Sequence, residues 1–597
     1  MPQPRTTQEL IHWLEMGAGA RVIRRVAALL AICALSLLVA WKQFHGVTSE
    51  SALIQADVGR QLSRGEGFTT LVNYPQTVAV MEQRGVKFNA REAYPELHQA
   101  PLYSVVIAAG LRMLPAGIRD GLFDDAPAPP DGFGGDYFLL GLNLLLLWLT
   151  VWLTYDLGRR LFDRRVGWIS ALAVLVSVGV WEQTVGLNGA PLLMLLVVST
   201  FWIMARLEEC ADETTNRRFV WSAALGLMCG LLFLTEYSAG ALILVTLGYA
   251  AFRFAGSLRW RAMGLVGAGF LFVSVPWVAR NLSIAGHPTA LAVQNVALKA
   301  GDPTAEPATQ RSAFSAELPK IDLNKLANKT LTALQEALKT RVWSGGAMWF
   351  VGFFAAGWLY TFRSRVANRL RWLFTVSLGA LILSQAVFNS GESERLAAAW
   401  LAPLIIVFGA GFFSVLLGSN ATLSQWPRWC AAGLLMVHAL PLVHDALEPR
   451  RLHFQYPPYF PGLFIGMRHE LEARDTVGRF GVMADVPAGV AWYGQQRVWA
   501  QPGRLRDFYA ITLEQPIGEL LLTPRTLDRP FFSELAARPV EPAALGRVTD
   551  LFGEWGRIYA GIFTGRIPPD FPLSAPQKLA ENLYVLLNPA LPPPQGK

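Results

Sequence analysis

Long apolar runs recur from Val26 to His444, and they set the first limit on what this chain can fold into. They fall at roughly 26–44, 137–157, 166–181, 189–206, 219–235, 237–252, 263–279, 346–361, 371–389, 398–417 and 428–445. Each is near the ~17–25 residues that carry a helix across the hydrocarbon of a bilayer. Composition points the same way: 52% of residues are apolar and only 16% are charged, against roughly 25% charged in soluble domains. The expected fold is a polytopic α-helical membrane protein with about eleven transmembrane helices. A C-terminal extracytoplasmic α/β domain follows them.

Charge orients the spans. The segment from Pro101 to Leu114 is apolar but short, about the length of an interfacial or re-entrant helix. If it does not cross, Arg159, Arg160, Arg164, Arg165, Arg217, Arg218, Arg253, Arg259, Arg261, Arg363, Arg365, Arg369 and Arg371 all lie in the cytoplasm. If it crosses, every later loop inverts against the positive-inside rule. The non-crossing arrangement is therefore expected. Arg21, Arg24 and Arg25 precede the first run as in an uncleaved signal anchor with a cytoplasmic N-terminus. The expected location is the cytoplasmic (inner) membrane, with the C-terminal domain outside. The formal charge of +8 is spread over these loops and forms no single patch, so nucleic acid is not an expected partner. The four cysteines lie in or beside apolar runs, so the outer segments do not depend on disulfides.

A membrane domain over 1–445 thus carries long outer loops at 45–136 and 280–345, and residues 446–597 form the outer domain. In the first loop, Ser51 to Arg64 reads as an amphipathic helix lying on the membrane surface. In the tail, strands at 479–485, near Arg497 to Pro502, at Glu519–Pro524 and at Asn582–Pro589 alternate with helical stretches. Asp485 stands where the first strand meets a helix begun by Pro487. Open α/β sheets often bind ligands at such a place, but capping of that helix is the preferred reading.

Several stretches together resemble the GT-C membrane glycosyltransferases, above all the family 39 type that includes protein O-mannosyltransferases and aminoarabinose transferases. LGRRLFDRRVGWISALAVL at 157–175 looks like that family's loop after its second span. VPWVARNLSIAGHP at 275–288 is similar to its Pro-Trp-x-x-Arg-Asn stretch, and HQAPLY at 98–103 to its Pro-Pro-Leu-Tyr stretch. GLLFLTEYSAGALIL and SERLAAAWLAPLIIV occupy the places of two further segments. The resemblance covers roughly 26–420 and implies sugar transfer from a polyprenyl-phosphate carrier to an acceptor on the non-cytoplasmic face. It also implies a catalytic acid just after the first span. The family's Asp-Glu pair falls at Ser51 and Ala52, with Glu50 one residue away and Asp57 two turns on. The family's basic residue falls at Gln99, beside His98, and Ala100 replaces one Pro. Either the loop is shifted by one residue or the site is altered.

Transfer from a lipid phosphate needs a carboxylate for the acceptor hydroxyl, cations or hydrogen-bond donors for the departing phosphate, and an apolar groove for the prenyl chain. Glu50 is the first candidate for the carboxylate, and Asp57 the second, with a surface-helix role as the plainer reading. Arg280 and Arg395 are the leading candidates for the phosphate, with snorkelling to the interface as the plainer reading. Arg341 and His98 rank behind them. Glu236, in a turn between two spans, either binds a sugar hydroxyl, holds a metal or pairs with Arg280, and pairing ranks first. Tyr103, in the HQAPLY stretch, is a substrate-binding candidate. Trp343, Trp349, Trp492, Tyr493 and Trp499 either stack on sugars or pack and anchor, the latter being more usual. The expected partners are a polyprenyl-phosphate-linked sugar, a glycan, lipid or protein acceptor, and the bilayer. No cofactor is assigned and a divalent metal stays open. The competing readings are a transporter or lipid flippase, and a catalytically inactive GT-C scaffold that binds glycolipid.

Overall fold

The computed structural model describes residues 18–44, 46, 47, 49–87, 89, 92–124, 132–210, 215–298, 310–337, 347–388, 396–419, 421–447, 460–475, 477–526, 555, 558, 561, 562, 567, 571–580 and 583–593. The chain is a polytopic helical membrane protein with a sheet-containing C-terminal domain. It opens with α1 (Ala18–Gln43). The first loop then supplies α2 (Glu50–Arg64), the two-residue strands β1 (Thr69–Thr70) and β2 (Val72–Asn73), α3 (Pro75–Gln83), β3 (Tyr94–Pro95), α4 (Leu102–Met113) and α5 (Ala116–Gly121). Next come α6 (Gly134–Leu161), α7 (Arg164–Leu175), α8 (Val178–Val185), α9 (Ala190–Glu209), α10 (Thr215–Thr235), α11 (Leu242–Arg253) and α12 (Gly256–Ala285). The second loop carries α13 (Leu323–Ala337), followed by α14 (Ala347–Gly357), α15 (Arg365–Phe388), α16 (Leu396–Ser419) and α17 (Pro427–Leu447).

Among the described residues, seven helices are long and apolar enough to cross a membrane: α6, α9, α10, α12, α15, α16 and α17. α7 and α8 make an eighth if taken together, bent by 51° at their break. Three of the expected spans are shorter apolar helices, at Leu29–Gln43, Tyr237–Arg253 and Met348–Gly357. α4 is another short one; at twelve residues it rises about 18 Å, well short of the ~30 Å hydrocarbon.

Lipid gives helices no hydrophobic reason to associate, so close backbone packing has to do it. Gly226 and Gly230 on α10 face α12 in that way. A Cβ on Gly269 of α12 would lie 2.6 Å from the Ala223 carbonyl, and one on Gly226 would strike the Val266 carbonyl. At the face remote from the sheet, carboxylates gather the loop arginines. Asp156 accepts from Arg159, Arg160 and Trp202, the last at 2.8 Å. Glu208 pairs with Arg253 and Arg369 and accepts from Tyr249.

The C-terminal domain adds α18 (Pro461–Arg474), β4 (Gly481–Ala484), α19 (Pro487–Gly494), β5 (Val498–Ala500), α20 (Leu505–Glu514), β6 (Ile517–Leu522), β7 (Ser574–Ala580) and β8 (Leu583–Leu587). Its sheet has six strands in the order β2-β5-β4-β6-β8-β7. β2, β5, β4 and β6 run parallel, and β8 and β7 join antiparallel. The edge strand β2 comes from the first loop, more than 400 residues earlier in the chain.

This docking explains two departures from expectation. α2 is not a surface helix: it is buried along nearly its whole length, between α4 and α19. Its Asp57 therefore is not a solvated carboxylate. Asp57 Oδ1 pairs with Arg60 at 2.7 Å, while Oδ2 accepts from the Thr70 hydroxyl and the Leu71 amide, both at 2.8 Å. Arg60, fully buried, donates on to the carbonyls of Trp492 and Ala491 in α19. Trp492 and Tyr493 donate to the two oxygens of Asp136 at the start of α6. Both rings are packed in the core, as is Trp499, so these aromatics bind the domains together and do not stack on sugars. Trp349 is 56% exposed, and Trp343 lies outside the described residues.

Candidate active site

Ser49 begins α2. Its extended backbone and its hydroxyl, which accepts from the Ala52 amide at 3.1 Å, cap the helix. The next residue, Glu50, thus occupies the first turn, where the helix dipole favours a negative charge. Two partners fix it. The Tyr74 hydroxyl, one residue beyond β2, donates to Oε1 at 3.1 Å. Arg525, just past β6 of the C-terminal domain, donates to Oε2 at 2.5 Å. Burial pushes the Glu50 pKa up, but Arg525, Arg311 and the Tyr74 hydroxyl together outweigh it, and the net shift is downward. Glu50 is therefore an ionised carboxylate at neutral pH although its side chain is only 8% exposed. Arg525 is open to solvent on one side, at 23%.

The polar patch continues through Tyr74. Its ring meets His98 edge-on at 5.4 Å, and the Arg311 guanidinium lies 5.8 Å from its centroid. His98 contacts the Thr77 hydroxyl at 3.3 Å, and its amide donates to Glu96 at 2.6 Å. Burial, with the Arg311 charge adding to it, holds the His98 pKa well below the ordinary histidine value. A neutral imidazole brings hydrogen bonding but no charge, so His98 does not serve as a cation for phosphate. Glu96 is buried, its pKa is raised by that burial, and its Oε2 has no partner among the described residues.

Arg280 is at the domain-bearing end of α12, five residues before the helix ends at Ala285. Its guanidinium lies between Trp277 at 4.5 Å and Phe68 at 5.3 Å. It donates weakly to the carbonyls of Glu96 and Phe68 and to Asn281. Among the described residues it has no carboxylate in ion-pairing contact. An arginine held by aromatic faces without a counter-ion is suited to meet an anion. The neighbouring Tyr237 hydroxyl accepts from Trp277 and reaches the Gln99 carbonyl.

Glu50, His98 and Arg280 thus come together around Tyr74 and Glu96. Glu236 does not pair with Arg280: its contact is the Ser238 hydroxyl, at 3.5 Å. Tyr103 is fully buried and holds Asn143 and the Leu187 carbonyl, so it packs α4 against the span bundle. Arg395 and Arg341 lie outside the described residues. Asp485 does not cap α19. Its Oδ2 accepts instead from the amides and hydroxyls of Thr523 and Thr526, at 2.8–3.1 Å. Among the described residues no three His, Cys, Asp or Glu side chains gather as a metal site would need.

Sequence reading missed Arg525, Tyr74, Arg311 and Glu96. Glu96 sits two residues before His98, just ahead of the stretch that carries the resemblance, and was open to notice there. Arg311 and Arg525 come from the second loop and the C-terminal domain, and no local pattern links them to Glu50.

With this geometry in place, comparison with known proteins places the fold. Residues 138–279 match the model of the family described as dolichyl-phosphate-mannose-protein mannosyltransferase. No curated protein matches the chain in sequence. The structure is similar to ArnT from Cupriavidus metallidurans bound to undecaprenyl phosphate: TM-score 0.53, 13% identity, covering 97% of this chain and all of that one. It is also similar to the Archaeoglobus fulgidus oligosaccharyltransferase, at TM-score 0.52 and 12% identity, covering 84% of this chain and 68% of that one. The archaeal oligosaccharyltransferase AglB, also from Archaeoglobus fulgidus, in complex with an inhibitory peptide and a dolichol-phosphate, gives TM-score 0.51 at 10% identity, covering 85% of this chain and 71% of that one. The chain has the GT-C fold, from its first span into its C-terminal domain.

Proposed function

We propose that this protein is a glycosyltransferase that moves a sugar from a polyprenyl-phosphate donor to an acceptor on the non-cytoplasmic face of the cytoplasmic membrane. The observation that carries this is Glu50: a buried, ionised carboxylate directly after the first apolar helix, with Arg525 and Tyr74 on its oxygens. The bound undecaprenyl phosphate of the Cupriavidus structure and the dolichol-phosphate of the archaeal one support a lipid-phosphate donor. In this reading Glu50 accepts a hydrogen bond from the acceptor hydroxyl and aligns it on the sugar's anomeric carbon. Arg525 gives up one contact with Glu50 as the hydroxyl arrives. The hydroxyl oxygen bonds to the anomeric carbon as its proton passes to Glu50, the bond from the anomeric carbon to the phosphate oxygen breaks, and Arg280 stabilises the phosphate that leaves. The arginine-rich loops support a cytoplasmic N-terminus and a sheet on the outer face. We retain the division into a membrane domain over 1–445 and an outer domain over 446–597, with β2 lent by the first to the second.

The test is a reconstituted assay. Protein in nanodiscs is given undecaprenyl-phosphate-linked sugars, and loss of donor is followed with release of undecaprenyl phosphate. Release that requires both protein and an acceptor supports the reading. Transbilayer movement of intact donor in proteoliposomes, with no release, points to a flippase instead.

A further inference from the structure

Three of the four parallel strands end in a polar residue on one face of the sheet. Met483 is level with Trp499, and Asn73 is level with Trp499 on the other side. Ala484 is level with Ala500, which makes Asp485 and Gln501 the next neighbours across β4 and β5. Side chains alternate along strands, so Asn73, Asp485 and Gln501 share the face of Met483 and Trp499. The connections place one of them, Asp485, at a particular spot, with Gln501 and Asn73 following outward on β5 and β2. β4 leads through α19 to β5 on one side, and β5 leads through α20 to β6 on the other. The sheet's switch point is therefore between the carboxyl ends of β4 and β6, where open α/β sheets form a ligand crevice.

Among the described residues, several polar atoms there have no partner. Gln501 is 2% exposed, and neither its Oε1 nor its Nε2 has a partner. Asn73 is 1% exposed and its Oδ1 has none. Asp485 spends four hydrogen bonds on Oδ2 and leaves Oδ1 bare and buried. Buried polar groups are costly unless satisfied, so orphans clustered at one edge call for an occupant. Their neighbours tie the crevice to Glu50: Asn73 precedes Tyr74, and Thr523 and Thr526, which hold Asp485, flank Arg525. The Gly503 amide, two residues after Gln501, donates to the carbonyl of Ser312, next to Arg311.

We infer that the carboxyl edge of this sheet, at Asn73, Asp485 and Gln501, is a carbohydrate-binding site that seats the hydroxyl-rich part of a substrate beside Glu50. The inference rests on the glycosyltransferase reading for the identity of its ligand. The chemistry fits a neutral polyol: an amide offers one donor and one acceptor, and two further carbonyl or carboxylate oxygens accept from sugar hydroxyls. A sugar still attached to the lipid and a sugar on the acceptor share this chemistry.

The experiment is thermal unfolding of the full chain in nanodiscs with three sets of probes. They are undecaprenyl phosphate, undecaprenyl phosphomannose, and the methyl glycosides of mannose, glucose and galactose. The variants are Gln501→Met, which keeps shape and removes both polar atoms, and Asn73→Leu. Replacing an orphaned amide by an apolar group of similar shape leaves the unliganded protein as stable or more so. In wild type we expect a sugar-dependent rise in melting temperature. If the donor sugar binds, phosphomannose exceeds plain phosphate; if the acceptor sugar binds, a methyl glycoside acts alone. In either variant the apparent sugar affinity falls about tenfold while the response to undecaprenyl phosphate stays. A sugar response that survives in both variants, or that wild type lacks, overturns the inference. A wild type that answers to sugar but not to undecaprenyl phosphate leaves the site standing and strikes the donor reading.

Discussion

Arg525→Gln isolates what the C-terminal domain does to Glu50. The guanidinium is 2.5 Å from a carboxylate that is 8% exposed. After the change Glu50 keeps the Tyr74 hydroxyl and the more distant charge of Arg311, while burial continues to disfavour its ionised form. An opposite charge in close contact moves a carboxylate by about 1–3 pH units, equivalent to ~1.4–4 kcal/mol of preference for the charged state. The sign follows directly. In wild type the Glu50 pKa is below its usual value of 4.5. The pair stabilises the fold above that usual value and loses its contribution only as pH falls through the lower, folded pKa. In Arg525→Gln the carboxyl takes up its proton at higher pH, moving an acid limb toward neutrality. The assay is transfer rate against pH from about 5 to 8, the range in which an unperturbed carboxylate would stay ionised, with melting temperature followed over the same range. Wild type should be flat on the acid side and Arg525→Gln should fall. Superimposable profiles would refute the view that Arg525 sets the charge of Glu50.

Other perturbations test other joints. Arg60→Met leaves Asp57 buried without its cation and unties α2 from α19, so unfolding should ease by about 3–5 kcal/mol; Asp57→Leu in the same chain should restore part of that. Glu519 is fully buried in β6, both its oxygens are unpartnered among the described residues, and burial, reinforced by the Glu470 charge, pushes its pKa up to about 8. Its folded pKa exceeds its unfolded one, so stability should fall as pH rises from near 4.5 to about 8. Glu519→Gln should flatten that slope and raise the melting temperature at pH 8, a gain on the order of 4 kcal/mol if the whole shift is released. Arg280→Ala should weaken binding of undecaprenyl phosphate about tenfold, with Arg280→Lys intermediate because an ammonium lacks the planar fork; equal affinity in all three would remove Arg280 from the phosphate site.

The helical membrane fold was legible because lipid writes on sequence directly: apolar length is a local signal. The bend between α7 and α8 was not, since Val176 and Ser177 carry neither Pro nor Gly to announce a break. Glu50 was found through its height after the first span and its nearness to the resemblance's acid. Its partners were not, because Arg525 is 475 residues away in sequence and is brought in by sheet docking. Asp57 was misjudged although a signal was present: Arg60 follows three residues later, on the same helical face, among Ala, Leu, Ile and Val. The strand β2 is only two residues long, too short for alternation to show, and it acquires its conformation from β5. The helix-capping role expected of Asp485 failed for a related reason: its partners, Thr523 and Thr526, follow the neighbouring strand β6.

Single-turnover transfer by Glu50→Gln tests the central claim most directly. The amide keeps the shape and its contact with Tyr74 but gives up the charge that orients and activates a hydroxyl. Labelled sugar on undecaprenyl phosphate is bound to excess protein, acceptor is added, and the rate of sugar appearance on the acceptor is compared with wild type. The account predicts donor binding within about threefold of wild type and transfer slower by roughly 100-fold or more, the scale of a lost general base. Transfer by Glu50→Gln at the wild-type rate would contradict it and move the chemistry to another residue.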